Sequence, residues 1–131
     1  MIQELKHGDL EVKLQICNDA FLNAIPKFEA DYEIDFAETK GIGFAQFLFH
    51  YAYFAYKTYC TENGQIKKYS CAQFLKLAKD GDVPQSESNL SEVLEALTSS
   101  FIDKVKQGQQ EQEGVKKNSP EATGTESSSE G

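Results

Sequence analysis

The sequence predicts a mainly α fold: a small helical domain of about four helices around a long aromatic central helix, with a short N-terminal β-hairpin and a disordered C-terminal tail. Three observations carry this. The stretch Gly41 to Thr61 packs eight aromatic residues (Phe44, Phe47, Phe49, Tyr51, Tyr53, Phe54, Tyr56 and Tyr59) into about five helical turns. Residues 10 to 16 alternate apolar and polar with a period of two. After Gly108 the composition shifts abruptly to Gln, Glu, Gly, Ser, Thr and Lys.

In the N-terminal part, Leu10, Val12, Leu14 and Ile16 form one face and Glu11, Lys13 and Gln15 the other, a half-buried strand. His7, Gly8 and Asp9 supply turn chemistry, and Ile2 to Lys6 is the expected second strand of a hairpin. Asn18 is the expected cap of a first helix, with Asp19 placed favourably for the helix dipole. Phe21, Ile25, Phe28 and Tyr32 recur at helical spacing. Pro26 removes a donor and crowds the carbonyl four residues back, so a kink near Leu22 or two short pieces are expected.

The acidic run Glu29, Asp31, Glu33, Asp35 and Glu38 imitates the opening of a calcium loop. Phe36 stands where such a loop needs Gly, and Ile42 where it needs Glu, so a solvated linker is the better reading. Gly41 and Gly43 are expected to let the chain turn into the central helix.

In the central helix, Gln46, His50, Tyr53 and Lys57 share one narrow polar stripe, and the other sides are apolar. Such a helix has to be wrapped by other elements or by a partner. Its polar groups and four tyrosines argue against a membrane span, and a buried central helix is the reading adopted. Asn63 and Gly64 close it. A polar connection leads to Tyr69. There Ser70 and Gln73 form a capping box, and Tyr69 and Phe74 a hydrophobic staple, for a short helix from Cys71 to about Lys79. Asn89 with Glu92 starts a last amphipathic helix through Leu90, Leu94, Leu97, Phe101 and Val105, ended by Gly108. The domain boundaries expected are 1–107 for the helical domain and 108–131 for a disordered polar tail, whose only large aliphatic is Val115.

A net charge of -8 and the absence of arginine count against nucleic acid, since phosphate recognition leans on Arg forks and basic patches. Cys17, Cys60 and Cys71 are odd in number and widely spaced, which reads as reduced thiols in a cytoplasm. The N-terminus has no apolar stretch of export-signal type, so a cytoplasmic protein is expected. No phosphate loop, GxSxG, HExxH or dinucleotide fingerprint occurs. Pairing His50 with Cys60 or Cys71 as base and nucleophile has no support in the spacing, and a solvent-facing or locally satisfied histidine is the plainer reading. The expectation is a protein without catalytic residues, metal or cofactor. The apolar excess of the central and last helices marks either an interface or a monomer whose four elements suffice to bury it.

The order of parts carries a resemblance. A turn-led strand (HGDLEVKLQI) precedes a helix, then comes a long aromatic and alanine-rich helix (FAQFLFHYAYFAYKTYCTENGQ). A small capped helix (SCAQFLKLAKDG) and an amphipathic one (NLSEVLEALTSSFIDKVKQG) precede a polar tail holding Lys116 and Lys117. Over about residues 8 to 117 this layout resembles the tail assembly chaperones of long-tailed bacteriophages and prophages. The resemblance implies a non-enzymatic, self-associating cytoplasmic helper that solubilises the tape measure protein and helps recruit tail tube subunits, with no membrane and no nucleic acid partner. Its apolar side chains would form grooves for a partner's amphipathic helix. The candidate contact surface is Phe47, Phe54, Leu97, Phe101 and Val105. The rival readings are a small acidic adaptor or inhibitor of a mobile element, which needs acidic residues gathered on one face, and a domain holding an apolar ligand among its phenylalanines and tyrosines.

Overall fold

The computed structural model describes residues 1–38 and 42–117, with residues 42 and 105–117 described by backbone alone. Strands β1 (Ile2–His7) and β2 (Leu10–Gln15) form an antiparallel hairpin. Helices α1 (Asn18–Tyr32), α2 (Ile42–Glu62), α3 (Cys71–Ala78) and α4 (Leu90–Lys117) follow. The chain divides into two units, Met1–Thr98 and Ser99–Gly131. The mainly helical fold with an N-terminal hairpin is as expected from the sequence.

The hairpin turns on Gly8 and Asp9. Gly8 has φ +65° while Asp9 stays out of the left-handed region, which is the pattern of a two-residue II′ turn. Leu10 and Leu14 on β2 and Leu5 on β1 are fully buried, so one face of the sheet belongs to the core. The opposite face sets Lys6 across from Glu11 and Glu4 across from Lys13.

Helix α1 runs through Pro26 as one helix, not two pieces. Its N-cap is Cys17, which makes no side-chain cap bond, so the expected cap Asn18 is instead the first helical residue. Ala20, Phe21, Ala24 and Phe28 form the buried face. This face meets α2 through edge-to-face contacts of Phe21 with Phe47 and Tyr51, and of Phe28 with Phe47. A 3-10 turn at Phe36–Glu38 brings Phe36 onto Phe47 at 4.6 Å.

Helix α2 is the buried axis of the fold, packed by α1, β2 and α3. Phe47, Leu48, His50 to Tyr53, Ala55, Tyr56 and Cys60 are all buried. The polar stripe is therefore not a solvent face: His50 and Tyr53 point inward, and Lys57 is its exposed member. Gly64 at φ +63° ends the helix, and Gln65 N–H bonds Cys60 O at 2.9 Å, the six-to-one bond of a Schellman cap. Gly43 lies in the first turn of α2, and Gly41 falls outside the described residues.

Helix α3 begins with the capping box read from the sequence. Ser70 Oγ accepts from Gln73 N at 3.2 Å and Gln73 Oε1 from Ser70 N at 3.0 Å. Helix α4 continues through Gly108 to Lys117, so the helix does not end at Gly108 as expected. Residues 118–131 of the expected tail lie outside the described residues.

Candidate functional site: a cleft beside the hairpin

The Schellman turn at Gly64 folds the chain back, so residues 65–69 run alongside the last turns of α2. One hydroxyl pins them there. Tyr56 Oη accepts from Lys68 N at 2.6 Å and Tyr69 N at 3.0 Å. Burial pushes the Tyr56 phenol up from its ordinary value, against the lowering effect of these two N–H bonds. Its ring stacks on Phe74 at 5.6 Å, which anchors the whole arrangement to α3. Lys67 Nζ donates to Tyr53 Oη at 2.8 Å, a bond that raises the lysine's pKa.

Between this pinned segment and the inner face of the hairpin lies a cleft of about 460 Å³. Leu5 and Val12 come from the strands, Tyr56, Tyr59 and Cys60 from α2, and Ile66 and Tyr69 from the returning segment. The rim carries both signs, with Glu4, Lys6, Glu11, Lys13 and Lys68. Ile66 is 94% exposed, the most solvent-exposed large apolar residue described. An aromatic and aliphatic floor inside a rim of mixed charge suits a peptide segment with an apolar anchor better than a polyanion.

Groups with chemical potential elsewhere have structural jobs. His7 is buried, with Nδ1 2.6 Å from Ser88 Oγ and Nε2 2.7 Å from Asp80 O. His50 is wholly buried, Nε2 donating to Asp31 Oδ2 at 2.9 Å and Nδ1 lying 3.1 Å from Gln46 O. It is a locally satisfied histidine, in edge-to-face contact with the rings of Phe28 and Tyr32. The bond from His50 holds the Asp31 carboxyl below the usual carboxylate range, partial burial opposing it and Lys27 at 3.0 Å adding to it. Burial pushes the Cys71 thiol up, away from nucleophilic character at neutral pH. Among the described residues, no group of three or more His, Cys, Asp or Glu side chains is placed to hold a metal ion. No helix of the described residues is long and apolar enough to cross a membrane.

The acidic run is only partly a solvated linker. Asp31 lies inside α1 and joins it to α2, and Glu29 Oε2 accepts from Phe36 N at 2.9 Å. The phenylalanines of the core pack edge to face against one another, and the cleft is lined by tyrosines without a phenylalanine.

The residues expected to form a contact surface are not brought together as one. Phe47 and Leu97 are fully buried within the chain, which removes them from any surface. Phe54 is half-buried, with Lys57 Nζ 5.6 Å above its ring. Phe101 belongs to the second unit, and Val105 lies in the part of α4 described by backbone alone. Helical periodicity selects apolar positions without saying which of them the chain itself covers. The cleft residues Tyr59, Ile66 and Tyr69 were not among the expected ones. Their signal was Ile66, a lone aliphatic between Gln65 and Lys67 in a connection with no periodicity to bury it.

Set against protein-family models, curated proteins and solved structures, the chain has no match.

Proposed function

We propose that this protein is a non-enzymatic assembly chaperone of the phage or prophage tail type, holding an apolar segment of a partner in the cleft beside its hairpin. The observation that carries the reading is Ile66, 94% exposed at a cleft floored by Val12, Tyr59 and Tyr69. Tyrosine is among the residue types enriched at binding hot spots, and an exposed aliphatic beside Tyr59 and Tyr69 extends their apolar surface. The structural engagement of His7, His50 and Asp31 supports a binding role over catalysis. The layout resemblance makes the tape measure protein the partner to test, with the tail tube protein second.

The test is co-expression with the longest helical protein encoded just downstream. That protein is expected to be insoluble alone and to co-purify with this chain. Ile66→Asp leaves the core untouched and is expected to abolish co-purification while the circular dichroism stays unchanged. Retained co-purification in that variant would overturn the cleft as the site. Failure of the wild-type chain to co-purify would overturn the chaperone reading in favour of a small acidic adaptor.

A further inference from the structure

The hairpin has one closed edge and one open edge. On β1, Glu4 O accepts from Asn89 Nδ2, Lys6 N donates to Asn89 Oδ1, and Lys6 O accepts from Asn89 N, each at 2.8 Å. Gly8 N donates to Glu87 O at 3.0 Å. These backbone groups thus point away from β2. In an antiparallel ladder, residue pairs alternate between those that exchange hydrogen bonds and those whose N–H and C=O face outward on both strands. Glu4 with Lys13 and Lys6 with Glu11 are therefore outward-facing pairs, and the backbone groups of Glu11 and Lys13 form the open edge of β2. Among the described residues, no hydrogen bond reaches those outward groups.

We propose that this edge pairs with β2 of a second copy, antiparallel, about a two-fold axis through Val12. In that register Glu11 faces the partner's Lys13, and Lys13 faces the partner's Glu11. Combined with the pairs inside each hairpin, a row across the sheet runs Lys6, Glu11, the partner's Lys13, the partner's Glu4. Lys6 and Glu11 already form an ion pair at 3.4 Å. The sign alternates across all four strands, the arrangement that favours cross-strand neighbours. An axis through Glu11 or Lys13 would set like charges face to face, so the charges select one register. Charges on an edge strand are usually a guard against pairing. A guard of a single sign repels its own copy, whereas the Glu-Val-Lys order of this strand is complementary to itself. Pairing would also extend a two-stranded ribbon, marginal alone, to four strands.

Sedimentation velocity on the full chain, without any partner, tests this from micromolar to millimolar concentration. A dimer that weakens with added salt is expected. Glu11→Lys and Lys13→Glu are each expected to weaken dimerisation roughly tenfold or more, because each places like charges at both symmetry-related contacts. An equimolar mixture of the two variants is expected to restore dimers, since every contact then pairs opposite signs. Lys13→Pro removes an outward N–H without touching a bond between β1 and β2, so a monomer with unchanged circular dichroism is expected. A monomeric wild type, charge variants that dimerise as the wild type does, or a mixture that stays monomeric would each overturn the proposal.

Discussion

Asn89 acts toward Lys6 as a neighbouring strand would: it donates its amide to Lys6 O and accepts Lys6 N–H on its side-chain oxygen, both at 2.8 Å. A third bond, from its side-chain nitrogen to Glu4 O, completes the clasp. Asn89→Ala removes the two side-chain bonds and is expected to cost about 1–2 kcal/mol, measured by urea denaturation. Asn89→Asp keeps the acceptor for Lys6 and loses the donor to Glu4, so it should fall between wild type and alanine. An Asp variant no better than Ala would show that the acceptor contributes nothing.

The bond between His50 and Asp31 makes stability depend on acid. Asp31 has a folded pKa below its unfolded one, so the stabilisation is fully present above the ordinary carboxylate range of about pH 4. It is lost as pH falls through the lower, folded value. Asp31→Asn should therefore flatten the acid limb of stability against pH below about 4, with little change in its shape at neutral pH. An acid limb as steep in Asp31→Asn as in the wild type would dismiss this carboxylate as its source.

Two glycines with nearly the same positive φ are expected to respond differently to alanine. Gly8 and Gly64 both have φ near the left-handed region, at +65° and +63°. A Cβ on Gly64 meets open space, whereas one on Gly8 lies 3.0 Å from Val83 Cγ2. Gly64→Ala should cost about 1 kcal/mol from conformation alone. Gly8→Ala should cost more, and Val83→Ala in the same chain should recover the part of the difference that is steric. Equal costs in thermal denaturation would mean that Val83 yields freely.

Interior and cleft residues separate stability from binding. Phe47→Ala empties a site touched by Phe21, Phe28, Phe36 and Tyr51, and is expected to cost about 3–5 kcal/mol. Ile66→Asp should stay within about 0.5 kcal/mol of wild type by the same denaturation measurement. A large loss in Ile66→Asp would mean that the side chain is covered in solution.

What the sequence disclosed was what short-range rules govern. The period of two in β2, the capping box at Ser70 and the stop at Gly64 each operate within six residues, and each is present. What it concealed lies in pairings between distant segments. Asn89 has the composition of a helix start, yet its side chain is engaged by β1, 83 and 85 residues away. Asp31 sits in an acidic run that suggests solvent, and a histidine 19 residues later draws it into the fold. Pro26 is a poor helix former that tertiary packing overrides, with Ala24 and Phe28 buried on either side of it. Ile66 is concealed for the opposite reason: it sits on neither a helix nor a strand, so no periodicity marks the face it belongs to.

The clasp at residues 87–89 has a consequence for the order in which the molecule is made. β1 is translated more than eighty residues before Asn89, and its outer edge closes only after Asn89 has emerged. Until then the nascent hairpin exposes both edges, even though α2 and α3, which pack on β2, are already made. Contacts of such sequence separation slow folding and prolong the exposure of unpaired strands. A ribosome paused before residue 89 therefore holds a hairpin that is fully translated and still open on both edges.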